Sequence, residues 1–287
     1  MHDPERGRDH LSAIRANDGL LLRYLRWPSR RTETRAIVVF LHGIASHAGW
    51  FGETAGDLAE RGVAVFAPDR RGSGRSEGPR GHLDRYERAL DDVDEVIRKV
   101  ASEHPDIPVF LAASSWAAKL AIVYVTEPRT QPTGLMLLGP GLFPTVNLSP
   151  VGRLAVVGGH AVAPTAHLAI PLTPEHYTSN PHYLDAIRKD RLRLISATLR
   201  FYWETARLDR RRSRASAAIR LPLLVLQGED DRMMDVPGTL AWFGGLQADD
   251  TTYVSYPGAG HTLDFEADRS AYLGDMLSWM SAREIRS

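Results

Sequence analysis

Three polar residues in this 287-residue chain stand where a nucleophile, a base and an acid could cooperate. Ser115 closes the apolar run Val109-Phe110-Leu111-Ala112-Ala113-Ser114, and a helical pattern follows. A serine at such a strand–turn–helix junction, with small Ala113 and Ala117 two positions either side, is placed for nucleophilic attack. Its hydroxyl stays inert unless a neighbouring base takes the proton. His261, just past the Gly-rich stretch Tyr256-Pro257-Gly258-Ala259-Gly260, is the candidate base. Asp231, after the apolar run Leu223–Leu226, is the candidate acid that orients it, with Glu229, Asp230 and Asp235 as competitors. Taken singly, each has an ordinary reading: a helix-capping serine, a surface histidine, a solvated acidic turn. Their shared placement at strand ends, in the order serine, aspartate, histidine, joins them. Ser114 is the rival nucleophile, but choosing it puts Trp116 where close helix–strand approach demands a small residue.

The elements that must position these groups follow from the apolar pattern. Asn17-Asp18-Gly19 between Leu11–Ala16 and Leu20–Trp27 predicts a β-hairpin. Ala36–Leu41, Val63–Ala67, Val109–Ala112, Gly134–Leu138, Leu223–Leu226 and Thr252–Tyr256 are short apolar runs. Such runs suit strands of a parallel sheet buried on both faces. Helical patterns alternate with them, over 53–61, 86–103, 115–126, 239–246 and 265–282. That alternation predicts an α/β fold with a mostly parallel, doubly wound sheet, in which ligands bind beyond the carboxyl ends of the strands. Between residues 141 and 218 the alternation breaks. Helical patches at 181–189 and 191–208, prolines and aromatics replace it, with no strand run. We read 1–140 and 219–287 as the core and 141–218 as a helical lid inserted between the sixth and seventh core strands. Its aromatic residues suit a hydrophobic ligand, and Phe143, Phe201 and Trp203 are its candidate pocket residues.

Composition narrows the chemistry. Lysine plus arginine equals aspartate plus glutamate at 35 each, so no overall field points to nucleic acid. Arg210, Arg211, Arg212 and Arg214 form one basic cluster, read as a solvated helix face rather than an anion site. The chain has no cysteine, which excludes disulfides, thiolate metal sites and a thiol nucleophile. Residues 1–10 are charged and lack the apolar core of a signal peptide. The apolar stretch 154–172 is broken by His160, Pro164, His167 and Pro171, a poor membrane span. The expectation is a cytoplasmic protein with no transmembrane segment and no metal.

Two further stretches carry a resemblance. His42-Gly43-Ile44-Ala45-Ser46-His47-Ala48-Gly49-Trp50-Phe51 is similar to the HGxxxHxxxY/F loop of the monoacylglycerol lipase and lysophospholipase-like α/β-hydrolases, the serine aminopeptidase-type family. Asp69-Arg70-Arg71-Gly72-Ser73-Gly74-Arg75-Ser76-Glu77-Gly78-Pro79-Arg80-Gly81-His82 resembles that family's DxRGxGxSxGxRGH segment. The likeness implies the α/β-hydrolase fold, with Ser115 as nucleophile, Asp231 as acid and His261 as base. It aligns the backbone N–H groups of Ile44 and Trp116 with the oxyanion donors. It also implies hydrolysis of a carboxylic ester, often of one acyl chain, with no cofactor. The departure is at the elbow, where Ala113 and Ala117 replace glycines; an unrelieved extra methyl in a packed site costs about 1–3 kcal/mol.

The expected partner is thus a small acyl ester or thioester. A rival reading is a biosynthetic thioesterase or cyclase using the same triad. From another class comes a non-catalytic ligand-binding hydrolase fold. An aminopeptidase is opposed by the lack of a carboxylate cluster for a substrate amine, and Ser115 excludes chemistry that needs a carboxylate nucleophile.

Overall fold

A computed structural model describes residues 11–284; the charged stretch 1–10 lies outside them. The hairpin strands β1 (Leu11–Arg15) and β2 (Leu21–Trp27) come first. Then follow β3 (Ala36–Leu41), α1 (Gly52–Glu60), β4 (Val63–Pro68), α2 (Tyr86–Glu103), β5 (Val109–Ser114), α3 (Ala117–Val125) and β6 (Gly134–Leu138). The insert holds α4 (Pro150–Gly159), β7 (His167–Ala169), α5 (Pro181–Lys189), β8 (Ser196–Thr198) and α6 (Leu199–Ala215). The chain ends with β9 (Leu223–Gly228), α7 (Val236–Gly244), β10 (Thr251–Tyr256) and α8 (Ser270–Ser281).

Eight strands form one sheet in the order β1-β2-β4-β3-β5-β6-β9-β10. The β1–β2 and β2–β4 pairs are antiparallel and all others parallel. Every residue of β3, β4, β6 and β9 is buried, as continuous apolar runs require. Alternation along β3 builds two cores. Ile37, Val39 and Leu41 pack with α2 and α3, whereas Ala36, Val38 and Phe40 pack with α1 and α8. Helix α2 buries Tyr86, Ala89, Leu90, Val93, Val96, Ile97 and Val100, a stripe at helical spacing.

The insert leaves the sheet after β6 and returns at β9, and it differs from the sequence reading in two ways. It contains a short antiparallel pair, β7 with β8, three-residue strands too brief to leave an apolar run. The helix expected over 191–208 instead occupies Leu199–Ala215. Thr198 sets its start, its hydroxyl accepting from the Phe201 N–H at 3.1 Å. The elements after β9 shift too. Helix α7 starts at Val236 because the Asp235 side chain caps it, and α8 starts at Ser270, after a short 3₁₀ turn at Leu263–Phe265. Of the basic cluster, Arg210, Arg211 and Arg214 are exposed. Arg212 is buried, donating to the Leu142 carbonyl at 3.1 Å. Among the described residues, no helix is long and apolar enough to cross a membrane.

Candidate active site

The sheet order reverses between β3 and β5, and the crevice beyond the carboxyl ends of such strands is where open α/β sheets bind ligands. Ser115 follows β5 directly. Its φ of +55° makes it the one non-glycine residue in the left-handed region among those described. Strain of this kind costs of order 1–3 kcal/mol and persists only where surroundings impose it. Here the Ser115 N–H donates to the Leu138 carbonyl at 3.1 Å, and its own carbonyl accepts from Ala118 at 3.0 Å and Gly141 at 2.9 Å. The turn presents the serine to a cavity lined by Ile44, Trp50, Ser115, Tyr177, His261 and Asp264, among others. Gly43 lets the loop after β3 lie against it: a Cβ there would stand 3.0 Å from Ser115 Cβ and 3.4 Å from its Oγ.

His261 reaches the same cavity from the loop after β10. Its Nδ1 lies 2.7 Å from Asp231 Oδ2, with both side chains buried. The Asp231 carboxylate is itself gripped: Oδ1 accepts from the Met233 and Met234 N–H groups at 2.9 and 3.1 Å, and Oδ2 from Gln227 Nε2 at 3.0 Å. Burial pushes this carboxyl up, but the facing imidazole and these donors outweigh it and hold it below the usual range. An ionised acceptor on Nδ1 fixes the proton there. Nε2 is left as the acceptor; it is buried and has no protein partner among the described residues. The rival acids are occupied or exposed. Glu229 accepts from the Ser255 hydroxyl at 2.7 Å, Asp235 caps α7, and Asp230 is exposed.

The backbone N–H groups of Ile44 and Trp116 donate to no protein acceptor among the described residues. His42 braces the first of these loops. Its Nε2 accepts the Arg70 N–H at 3.0 Å, so Nδ1 carries the proton and donates to the Gly43 carbonyl at 2.9 Å. Burial drives its pKa well down, so the ring is a neutral brace.

Phe143, Phe201 and Trp203 are not among the residues lining the cavity. Phe201 is buried and stacks on Trp116 with centroids 5.3 Å apart. Trp203 stacks on His160 at 3.7 Å, and Arg212 lies over the Phe143 ring at 5.1 Å. All three aromatic rings pack within the insert or between it and the core. The cavity wall comes instead from Trp50, Tyr177 and Asp264. Trp50 meets the Tyr177 ring edge-on at 5.1 Å, and the buried Tyr177 hydroxyl has no partner among the described residues. Asp264 is buried beside Tyr272, whose hydroxyl donates to it at 3.1 Å. Burial pushes its carboxyl up to about 7. Its position three residues past His261 was the available signal; nothing in the local sequence said that it would face inward.

Comparison with known proteins identifies the family and the fold. The family model described as serine aminopeptidase, S33, matches residues 32–268. The monoacylglycerol lipase of Mycolicibacterium smegmatis is 28% identical over 257 residues, covering 87% of this chain and 89% of that protein. The phospholipase YtpA of Bacillus subtilis is 26% identical over 245 residues, 85% of this chain and 94% of that one. A soluble variant of the Saccharomyces cerevisiae monoglyceride lipase, solved with a substrate analogue, shares the fold. Its TM-score is 0.86 at 20% identity, covering 96% of this chain and 95% of that one.

Proposed function

Since the chain belongs to the serine aminopeptidase family of α/β-hydrolases, whose general chemistry is ester cleavage by a serine hydrolase, we propose that it hydrolyses a carboxylic ester of one acyl chain, a monoacylglycerol or lysophospholipid, through an acyl-enzyme on Ser115. The observation that carries this reading is one cavity holding a strained serine and the unpartnered Nε2 of a histidine fixed by a buried carboxylate.

Ser115 Oγ attacks the ester carbonyl while its proton passes to His261 Nε2. The carbonyl oxygen takes up the negative charge between the Ile44 and Trp116 N–H groups. Collapse expels the alcohol, which takes the proton from His261, and the acyl group stays on Ser115. Water then gives a proton to His261 and attacks the acyl carbon; collapse releases the acid, and His261 returns the proton to the departing Ser115 Oγ. Asp231 stays ionised throughout and stabilises the imidazolium. Phe40, Ile44, Trp50 and Phe51 give the cavity apolar wall, suited to an acyl chain, and the free Tyr177 hydroxyl suits a polar alcohol portion. Asp264 is the one carboxylate in that lining among the described residues, too few for an amine-binding cluster.

The test is a fluorophosphonate probe together with a panel of monoacylglycerols, lysophosphatidylcholines and acyl thioesters. We expect labelling and turnover on the oxygen esters, both abolished in Ser115→Ala with the fold intact. Faster turnover of thioesters would favour the biosynthetic rival. An unlabelled wild-type protein would mark a ligand-binding fold, and labelling that survives in Ser115→Ala but not in Ser114→Ala would move the nucleophile.

A further inference from the structure

Two adjacent arginines follow β4, and they are used in opposite ways. Arg71 is neutralised, its guanidinium forked onto Asp92 with Nε at 2.6 Å and Nη1 on Asp18 at 3.0 Å. Arg70 pairs with no carboxylate among the described residues. Its fork instead grips two consecutive backbone carbonyls, Nη1 to Gly43 at 3.1 Å and Nη2 to Ile44 at 3.0 Å. The guanidinium also lies over the Trp116 ring at 4.8 Å and the Phe201 ring at 5.5 Å. It thus touches both residues whose N–H groups face the reacting oxygen in the reading above.

We propose that Arg70 is the positioning residue of the oxyanion hole, aiming and polarising the Ile44 N–H through the Gly43–Ile44 peptide and bracing Trp116 by stacking. This rests on the hydrolase reading of Ser115, Ile44 and Trp116. A trans peptide is planar, with its C=O and N–H on opposite edges. A donor fixed on the Gly43 carbonyl therefore fixes where the Ile44 N–H points, away from Arg70. His42 Nδ1 holds the same carbonyl, so two donors clamp that one oxygen. The second arm, on the Ile44 carbonyl, stops the next peptide from rotating. A positive charge on the carbonyl side also draws electron density toward oxygen and makes the N–H a stronger donor.

The lack of a directly paired carboxylate among the described residues, with Asp69 acting only from farther away, supports the same conclusion. A partly buried cation without a carboxylate is costly, and guanidinium is the side chain that bears it best, stacked on aromatic faces. Burial pulls its pKa down to about 10, which still leaves it charged at neutral pH. Negative charge arises near Arg70 when the tetrahedral intermediate forms, so its field favours that state over bound ester.

The test uses full-length Arg70→Met and Arg70→Lys, read by kcat and KM on p-nitrophenyl butyrate, Ki for a trifluoromethyl ketone, and melting temperature. The ketone forms a serine hemiketal whose oxyanion sits in the hole; the bound ester does not. We expect Arg70→Met to lower kcat about 10- to 100-fold, a fraction of the full loss of one donor, with KM changed less than threefold and ketone Ki weakened by the same factor as kcat. Arg70→Lys, which keeps the charge and one arm, should recover part of both, and it carries the test alone if the methionine variant does not fold. A lower melting temperature with kcat unchanged overturns the proposal, as does a fall in kcat with ketone affinity intact. A wild-type protein that neither turns over the ester nor binds the ketone refutes the hydrolase reading, and this proposal with it. An active wild type with unaffected Arg70 variants refutes Arg70 alone.

Discussion

Gly141→Ala should disable the site without touching any polar catalytic group. Gly141 lies in the loop after β6, and its N–H donates to the Ser115 carbonyl at 2.9 Å. A Cβ at this position would stand 2.8 Å from Ser115 C, 2.9 Å from Ser115 O and 3.0 Å from the Trp116 nitrogen. All three are backbone atoms, so no flexible side chain can swing aside. Reaching ordinary contact requires a displacement of about half an ångström between this loop and the elbow. The Trp116 N–H moves with the elbow. Complete loss of one oxyanion donor costs about 2.7–4 kcal/mol, or 10²–10³ in kcat, so this partial displacement should lower kcat between about 10- and 1,000-fold. The clash should also destabilise the fold by about 1–3 kcal/mol. The assay is kcat on p-nitrophenyl butyrate with melting temperature and near-ultraviolet circular dichroism, beside Gly158→Ala as control. Gly158 lies in α4 and its Cβ would meet nothing within 4 Å. A Gly141→Ala protein with kcat within threefold of wild type would refute this account of the elbow.

Asp231→Asn should cut kcat by about four orders of magnitude, because its amide turns an N–H toward groups that are themselves donors. Asp235→Asn should leave kcat unchanged, since asparagine caps a helix as well as aspartate; loss in Asp235→Asn with Asp231→Asn unaffected, measured on the same ester, would exchange their roles. Asp264 has a carboxyl raised to about 7 in the fold against 3.8 unfolded. Its ionisation therefore weakens the fold progressively as pH rises between those values, and fully above them. Asp264→Asn escapes this, so its stability relative to wild type should rise by about 2–3 kcal/mol between pH 5 and pH 8, measured by urea unfolding; a gap that shrinks with pH would refute it. Gly56 in α1 and Gly274 in α8 have open space where a Cβ would go. Each glycine-to-alanine change there should add about 0.8–1.0 kcal/mol with turnover unchanged, and a lower melting temperature would contradict it.

The parallel strands and α2 were legible because continuous apolar runs and helical stripes are local signals. The elbow was legible because an apolar run stops at a serine between small residues. What escaped was set across the chain. Phe143, Phe201 and Trp203 were the expected pocket aromatics, yet Phe201 spends its face on Trp116. Tyr177 faces His261 with ring centroids 6.5 Å apart because the insert folds back over the β10 loop. Asp264 and Arg70 acquire their settings from partners on other elements, Tyr272 in α8 and Thr54 in α1 for one, the loop after β3 for the other. Spacing carries no record of such pairings. The short β7 and β8 strands were hidden for another reason: three residues are too few to show a period.

Helix α6 is the last helix of the insert, yet it is fastened to the sheet's own helices. Trp116 Nε1 donates to Thr205 at 3.1 Å, Lys119 Nζ to Asp209 at 2.8 Å, and Tyr86 N–H to the buried Glu204 at 3.1 Å. Helix α4, by contrast, leaves Val151, Leu154 and Val157 exposed. For anyone grafting a lid from a relative, the exchangeable part therefore ends near residue 198. A chimera cut at 218 discards the helix that supports Trp116 and Lys119 from above. A chimera cut before Leu199 keeps that support.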